Sequence, residues 1–337
     1  MNETVQIAPT ATPAGGPVRD SAPQKKRRRI VLLSIAGALV LAVIAWVTVR
    51  CLASVSCTPW EAGESAPYTE SEKVFASMSL SYLVYGCEGC DKLAGTASTI
   101  LDSQKMGIII ENADIKRTDP ANPATALIDS AAFIRQTVGN FRFLTDLKDS
   151  RSSFYGAAFA DDERRTVWIA YAGSVSLTDA VESALLVVGA GLSGQEKCAF
   201  SLYETVLRTE EILAGYDLIL TGHSLGGALA AMVSRMSGAE AVTISGADGL
   251  ALGKINSIAG EKPDAYRITN YLTSPEGFGF SLKDIVQRMM FWGDYDGVIC
   301  HTYQGNGMAD NAHSVFGFVR FADDDPAKPI LPAETAG

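Results

Sequence analysis

The pentapeptide GHSLG at residues 222–226 is the feature that most constrains how this chain can fold. It follows an apolar run at 217–221 with the length of a buried strand, and it leads into residues 225–236, whose Ala, Leu and Met content predicts a helix. A sharp strand-to-helix turn lifts a serine hydroxyl above the edge of a sheet, and it needs small residues two positions before and after the serine. The pattern predicts a reactive hydroxyl at Ser224.

The second half of the chain alternates strand-like and helical segments. Further strands are predicted at 166–171, 241–245 and 266–271, and helices from Ser71 to a stop at Gly86, at 124–138 and at 195–214. Apolar strands separated by helices indicate a mostly parallel sheet covered on both faces. The predicted fold class is therefore α/β, in one domain over residues 71–322, and a disordered tail is expected at 323–337.

The first 70 residues differ in composition from the rest. Residues 1–29 are rich in Pro, Ala, Gly and Ser and end in five consecutive cations, which predicts a disordered tail. Residues 30–49 carry no charge, and a helix of that length spans about 30 Å, the thickness of the hydrocarbon core of a bilayer. This segment predicts a single transmembrane helix, with a linker at 50–70. A cleaved signal peptide is the alternative.

Charge sets the expected orientation and partners. Five cations precede the apolar segment and Arg50 alone directly follows it, so the positive-inside rule predicts a cytoplasmic amino terminus and an extracytoplasmic domain. The formal net charge is -10, although six basic residues against two acidic ones lie before residue 30, so the domain itself is strongly acidic. Because an acidic surface releases no phosphate counterions, nucleic acid is not an expected partner. The expected partners are the bilayer and a small-molecule substrate, and the sequence leaves the oligomeric state open.

All the cysteines follow the predicted membrane segment, on the side where disulfide bonds are permitted. They are Cys51, Cys57, Cys87, Cys90, Cys198 and Cys300. The sequence does not select a pairing. Cys87 and Cys90 are spaced for a short-loop disulfide, or for half of a zinc site with Cys300 and His301. We expect structural thiols, and neither a metal nor a cofactor.

A serine nucleophile needs a base, and the chain has three histidines. His223 is adjacent to the serine and would point away from it, so we expect it to pack beside the turn. His301 and His313 both follow the serine in the order that a Ser–acid–His triad of this fold requires. His301 falls at a predicted strand end, whereas His313 lies in a polar loop, and we therefore predict His313 as the base.

Three motifs resemble the fungal-type (class 3) lipase family and its bacterial relatives, over roughly residues 71–320. Residues 222–227 are identical to that family's common GHSLGG turn, 169–174 resemble its oxyanion-loop strand, and 311–316 resemble its histidine segment. The resemblance implies an α/β-hydrolase fold. It also implies that Ser174 and the Leu225 backbone N–H stabilise the oxyanion. Ala172 replaces the arginine that is usual in the family's oxyanion loop.

The triad acid departs from the family pattern. The family carries Asp after the strand that corresponds to 266–271, whereas this chain has Ser274 there. Glu276 is the first carboxylate after that strand, and we predict it as the acid. The alternatives are Asp284, Asp294 and Asp296.

The resemblance implies a serine hydrolase that cleaves a lipid or other carboxylic ester through an acyl-enzyme on Ser224, and the uncharged segment at 30–49 predicts that this hydrolase is anchored in a membrane. The missing Asp leaves an alternative open, in which a catalytically degenerate domain serves as a binding or scaffolding module of the cell envelope. An envelope protein in which the domain is only a spacer is the remaining hypothesis.

Overall fold

The computed structural model describes twelve stretches of the chain. They are residues 57–63, 67–87, 93–102, 115–116, 127–128, 130–173, 192–247, 266–273, 298–303, 315–316, 319–321 and 329–331. The predicted membrane segment and the predicted amino-terminal tail lie outside these residues, as do Ser174, Glu276 and His313. The predicted carboxyl-terminal tail at 323–337 is described at 329–331 alone, where Pro329 and Ile330 pair as an antiparallel strand with Phe321 and Arg320. Among the helices of the described stretches, none is both long enough and apolar enough to cross a bilayer.

The described residues contain both helices and strands, and from β5 to β7 the two alternate as predicted. The helices are α1 Glu70–Cys87, α2 Ala97–Leu101, α3 Ser130–Val138, α4 Leu192–Val206, α5 Glu210–Leu213 and α6 Leu225–Ser237. The strands are β1 Ile115–Lys116, β2 Leu127–Ile128, β3 Arg142–Asp149, β4 Phe154–Asp161, β5 Thr166–Tyr171, β6 Asp217–His223, β7 Glu240–Ile244, β8 Ile268–Thr273, β9 Ile299–Tyr303, β10 Arg320–Phe321 and β11 Pro329–Ile330.

Seven strands build the main sheet in the order β3-β4-β5-β6-β7-β8-β9. The strands from β5 to β9 pair in parallel, whereas β3 and β4 form an antiparallel hairpin at one side. The prediction of an α/β fold with a mostly parallel sheet is confirmed. Because parallel strands end at the same edge, the residues that follow β5, β6, β7 and β8 meet at the carboxyl edge of the sheet, where α/β proteins place their sites.

Helices cover both faces of the sheet. One apolar core joins α1, α2 and α3 to side chains such as Trp168, Ile219 and Val242, and a second core joins α4 and α6 to the opposite face. Successive side chains of β5 point to opposite faces of the sheet, so that Trp168 belongs to the first core and Ile169 to the second. The result is a three-layer sandwich with β6 and the following turn near its centre.

Three predicted elements differ from the structure. The helix predicted at 124–138 begins only at Ser130, because Leu127 and Ile128 pair as a strand with 115–116. The helix predicted at 195–214 is two helices, since Thr209 is extended (φ -71°, ψ 155°) and interrupts it. The β3–β4 hairpin was not predicted. β4 is buried along its whole length, so it lacks the alternation that marks a half-exposed strand.

Residues 57–63, inside the predicted linker, form a strap along the amino edge of the sheet. The Thr58 N–H and hydroxyl both donate to the Glu204 carboxylate, at 2.8 and 2.9 Å. The Trp60 N–H donates to the Ser237 carbonyl at 2.7 Å, and its indole N–H donates to Asp217 at 3.3 Å. The strap therefore contacts the end of α4, the end of α6 and the start of β6.

Candidate active site

Ser224 occupies a strained turn between β6 and α6. Its φ of 58° and ψ of -124° lie outside the regions that L-residues usually adopt, and its side chain is only 7% exposed. Strain of this kind costs on the order of 1–3 kcal/mol and persists only where the surroundings enforce it. The predicted strand-to-helix turn is present, with the serine at its tip.

Glycines allow the close packing that holds this turn. A Cβ on Gly222 would lie 2.3 Å from the carbonyl carbon of Gly226, and one on Gly226 would lie 2.0 Å from the Tyr171 carbonyl oxygen. A Cβ on Gly227 would lie 2.6 Å from the Cα of Gly246. The start of α6 is thereby pressed against the ends of β5 and β7, as expected from the motif.

Backbone hydrogen bonds fasten the turn to β7. The Ser224 N–H donates to the Ile244 carbonyl at 3.3 Å, and the Ser224 carbonyl accepts from Ala247 and Ala228 N–H groups at 3.1 and 3.2 Å. Leu225 is the first residue of α6, so its N–H has no partner inside the helix and lies at the positive end of the helix dipole. This N–H is suited to stabilise an oxyanion.

The end of β5 lies beside the turn. Tyr171 is the register partner of Gly222, and Gly173 follows two residues later. A Cβ on Gly173 would lie only 2.6 Å from the His223 carbonyl oxygen, so the chain at Gly173 passes close to the residue that precedes Ser224. Ser174 itself lies outside the described residues.

His223 contacts α1. Its Nδ1 lies 2.9 Å from the Tyr85 hydroxyl oxygen, and the two rings meet edge to face with centroids 6.0 Å apart. Burial raises the pKa of the Tyr85 hydroxyl above its ordinary value. This placement agrees with a packing role for His223.

His301 lies in β9, three strands away from the turn. His223, Ile244, Tyr271 and His301 are successive register partners, and strands are spaced by about 4.8 Å, so His301 lies about 14 Å from His223 along the row. Its ring stacks on Tyr271 with centroids 5.1 Å apart. Direct proton transfer requires about 3 Å between heavy atoms. His301 is therefore poorly placed to activate Ser224, and His313 stays a prediction.

A buried amide fastens the carboxyl ends of β7 and β8. Asn270 is fully buried; its Oδ1 accepts from the Thr243 hydroxyl at 2.9 Å and from the Gly246 N–H at 3.0 Å, and its Nδ2 donates to the Gly246 carbonyl at 3.2 Å. Asn270 was not among the residues predicted from the sequence, although a lone amide in an otherwise apolar strand indicates a side chain with buried hydrogen-bond partners. β8 ends at Thr273, and the candidate acids Glu276, Asp284, Asp294 and Asp296 all lie outside the described residues.

The described residues show no group of three or more His, Cys, Asp or Glu side chains arranged to hold a metal ion. Cys90, which the zinc alternative would require, lies outside them.

The central part of the domain is similar in sequence to a known protein family. Residues 132–287 match the family model of the Tle-like phospholipase domain, and this range runs from α3 past β8 and includes Ser224. The domain that contains these residues is similar to a phospholipase domain, and we call it the lipase-like domain below. The resemblance to a lipase-like family that the three motifs indicated is confirmed by this match. The match ends before His301 and His313.

Solved lipase structures resemble the lipase-like domain distantly. The lipase–propeptide complex of Rhizomucor miehei has 13% identity and a TM-score of 0.39, covering 72% of this chain and 70% of that one. A triacylglycerol lipase of Penicillium expansum has 12% identity and a TM-score of 0.37, covering 73% and 81%. A mono- and diacylglycerol lipase of Aspergillus oryzae has 11% identity and a TM-score of 0.38, covering 63% and 73%. No curated protein matches the chain. Similarities of this size do not transfer residue roles.

Proposed function

We propose that the lipase-like domain is a serine hydrolase that releases fatty acid from lipid carboxylic esters, with phospholipids as the first substrate class. The observation that carries this proposal is Ser224, held at positive φ on a strand-to-helix turn within the segment that matches a phospholipase domain. The strained conformation indicates that the serine side chain itself is required at this position, because a glycine would adopt the same backbone conformation without strain.

In the proposed reaction, the Ser224 Oγ attacks the acyl carbonyl carbon while His313 accepts the hydroxyl proton. Glu276 orients His313 and stabilises its charged form. Negative charge develops on the carbonyl oxygen, where the Leu225 N–H and Ser174 stabilise it. The C–O bond to the alcohol then breaks, and that alcohol takes the proton from His313. Water, deprotonated by His313, then attacks the acyl carbonyl carbon of the acyl-enzyme. The bond between that carbon and the Ser224 Oγ breaks, the Oγ takes the proton back from His313, and the fatty acid is released.

The product of phospholipid cleavage tests this proposal. Incubation with phosphatidylcholine and phosphatidylglycerol vesicles should yield free fatty acid and lysophospholipid, because an acyl-enzyme forms only at an acyl ester. p-Nitrophenyl butyrate and a triacylglycerol emulsion serve as parallel substrates that show whether the phosphate group matters. Release of the phosphorylated head group would contradict acyl transfer. Binding to vesicles without release of any product would favour the degenerate binding module.

We further propose that residues 30–49 anchor the protein in a bilayer, with the amino terminus cytoplasmic and the lipase-like domain outside. Support comes from the uncharged run and from the cations before it.

Protease protection in intact cells checks this topology. An epitope fused after Gly337 should be digested by added protease, and an epitope fused before Met1 should survive. The chain should stay in the membrane fraction after carbonate extraction. Protection of the carboxyl-terminal epitope would contradict the proposed orientation, and loss of the chain from membranes would contradict the anchor.

A further inference from the structure

We propose that Tyr85 is a positioning residue for oxyanion stabilisation, and that it acts by joining the end of β5 to the nucleophile turn. This inference rests on the proposed function, because it concerns how the same reaction is accelerated. Tyr85 belongs to α1, far from the motifs that identify the site in the sequence.

The Tyr85 hydroxyl contacts both sides of the proposed oxyanion site. On one side it lies 2.9 Å from His223 Nδ1 and 3.4 Å from the His223 carbonyl oxygen. On the other side it lies in close contact with the backbone of Gly173. His223 directly precedes the nucleophile, and Gly173 directly precedes Ser174, so one oxygen atom links the two segments that would carry the oxyanion donors.

The backbone at Gly173 packs closely against the Tyr85 hydroxyl and the His223 carbonyl. A Cβ on Gly173 would lie 2.3 Å from the Tyr85 oxygen and 2.6 Å from the His223 carbonyl oxygen. Gly173 can therefore approach both groups only because it lacks a side chain. Small movements of the chain at Gly173 towards either group are therefore opposed by close contact.

α1 provides a fixed base for the Tyr85 side chain. Two turns earlier, the buried Ser77 hydroxyl donates to the Val242 carbonyl at 2.8 Å and contacts the Thr221 hydroxyl. Leu83 and Val84, next to Tyr85, are fully buried. Helix α1 is thus tied to β6 and β7 beneath the turn, and the position of the Tyr85 hydroxyl is set by the sheet itself.

Loss of the hydroxyl should affect the transition state more than the bound substrate. The oxyanion forms only during reaction, so misplaced donors lower kcat and leave KM nearly unchanged. Removing a direct oxyanion donor costs roughly 10²–10³-fold in kcat. An effect transmitted through Gly173 should be smaller, and we expect about a 10-fold loss.

Tyr85→Phe tests the inference, because phenylalanine keeps the ring and removes only the hydroxyl. Tyr203→Phe is the matched control: Tyr203 is fully buried, and its hydroxyl donates to the Thr58 carbonyl at 2.8 Å on the amino edge of the sheet. Rates on p-nitrophenyl butyrate are divided by the concentration of sites that a fluorophosphonate labels, so that unfolded protein does not count. We expect kcat to fall about 10-fold in Tyr85→Phe alone, with KM changed less than about twofold in both variants.

A double-mutant cycle with Ser174→Ala separates positioning from stability. If Tyr85 acts through the donors around Ser174, Ser174→Ala should cost less in the Tyr85→Phe background than in the wild type. Equal costs in both backgrounds would overturn the inference, as would a kcat per labelled site in Tyr85→Phe that equals that of Tyr203→Phe. A wild-type chain that neither labels nor hydrolyses any ester would instead remove the proposed function, and this inference with it.

Discussion

Replacing Ser224 with alanine should abolish ester hydrolysis, with a loss of at least about 10⁴-fold in kcat. The Ser224 Oγ is the only atom that the turn presents as a nucleophile, and alanine removes that atom while keeping Cα and Cβ in place. Fluorophosphonate labelling should disappear in the same variant, because the reagent reports an activated serine. Both readouts are measured on protein whose melting temperature matches the wild type.

Ser245→Ala is the matched control for this change. Ser245 follows β7, the strand next to β6, and like Ser224 it is buried and has a positive φ, of 45°. Activity close to that of the wild type is expected, since Ser245 leads into Gly246 and Ala247, which are not helical, whereas Ser224 leads directly into α6. Labelling that survives in Ser224→Ala but is lost in Ser245→Ala would transfer the nucleophile to the neighbouring strand.

His313→Ala should cost about as much activity as Ser224→Ala. The members of a triad act as one unit, so removing the base leaves the serine unactivated and the losses do not add. His301→Ala is the control, because His301 lies about 14 Å along the register row from His223. The comparison uses kcat on the same ester for both variants. A large loss in His301→Ala with a small one in His313→Ala would show that the base is wrongly assigned.

The acid should give an intermediate loss in the same series. Glu276→Gln leaves the serine and the base in place but no longer fixes the imidazole tautomer, so about a 10²–10⁴-fold decrease in kcat is expected. Asp284→Asn is the control and should retain activity. The reverse result would assign Asp284 as the acid without affecting the serine and histidine assignments. Full activity in both would indicate a Ser–His dyad.

Local signals explain what the sequence predicted well. β6, the turn and α6 are consecutive in the chain, so an apolar strand, small residues and a helix-forming run were sufficient to place Ser224. The glycines at 222 and 226 were recognised from the same motif, and the structure adds their contacts at 2.3 and 2.0 Å. The parallel sheet followed from the alternation of short apolar runs and helices.

Long-range contacts explain what the sequence did not reveal. Tyr85 and His223 are 138 residues apart, and nothing in either neighbourhood points to the other. The β3–β4 hairpin was missed because β4, with Gly156 and several alanines, has few strand-favouring residues and is stabilised by burial between neighbours. Glu204, which binds the strap, reads in the sequence as an ordinary helix surface residue. These features depend on the tertiary fold.

β6 runs from the amino edge of the sheet, where the strap binds, to the carboxyl edge, where Ser224 lies. At its start, Asp217 accepts from Trp60 of the strap, and at its end the chain turns at Ser224, about 20 Å away at about 3.3 Å per residue. Any support coupled to the chain ahead of Cys57, such as a resin or a fused carrier protein, would therefore join the domain at its amino edge. Immobilised in this way, the domain would present the edge that carries Ser224 away from the support, so lipid aggregates offered in an assay would not have to pass the point of attachment.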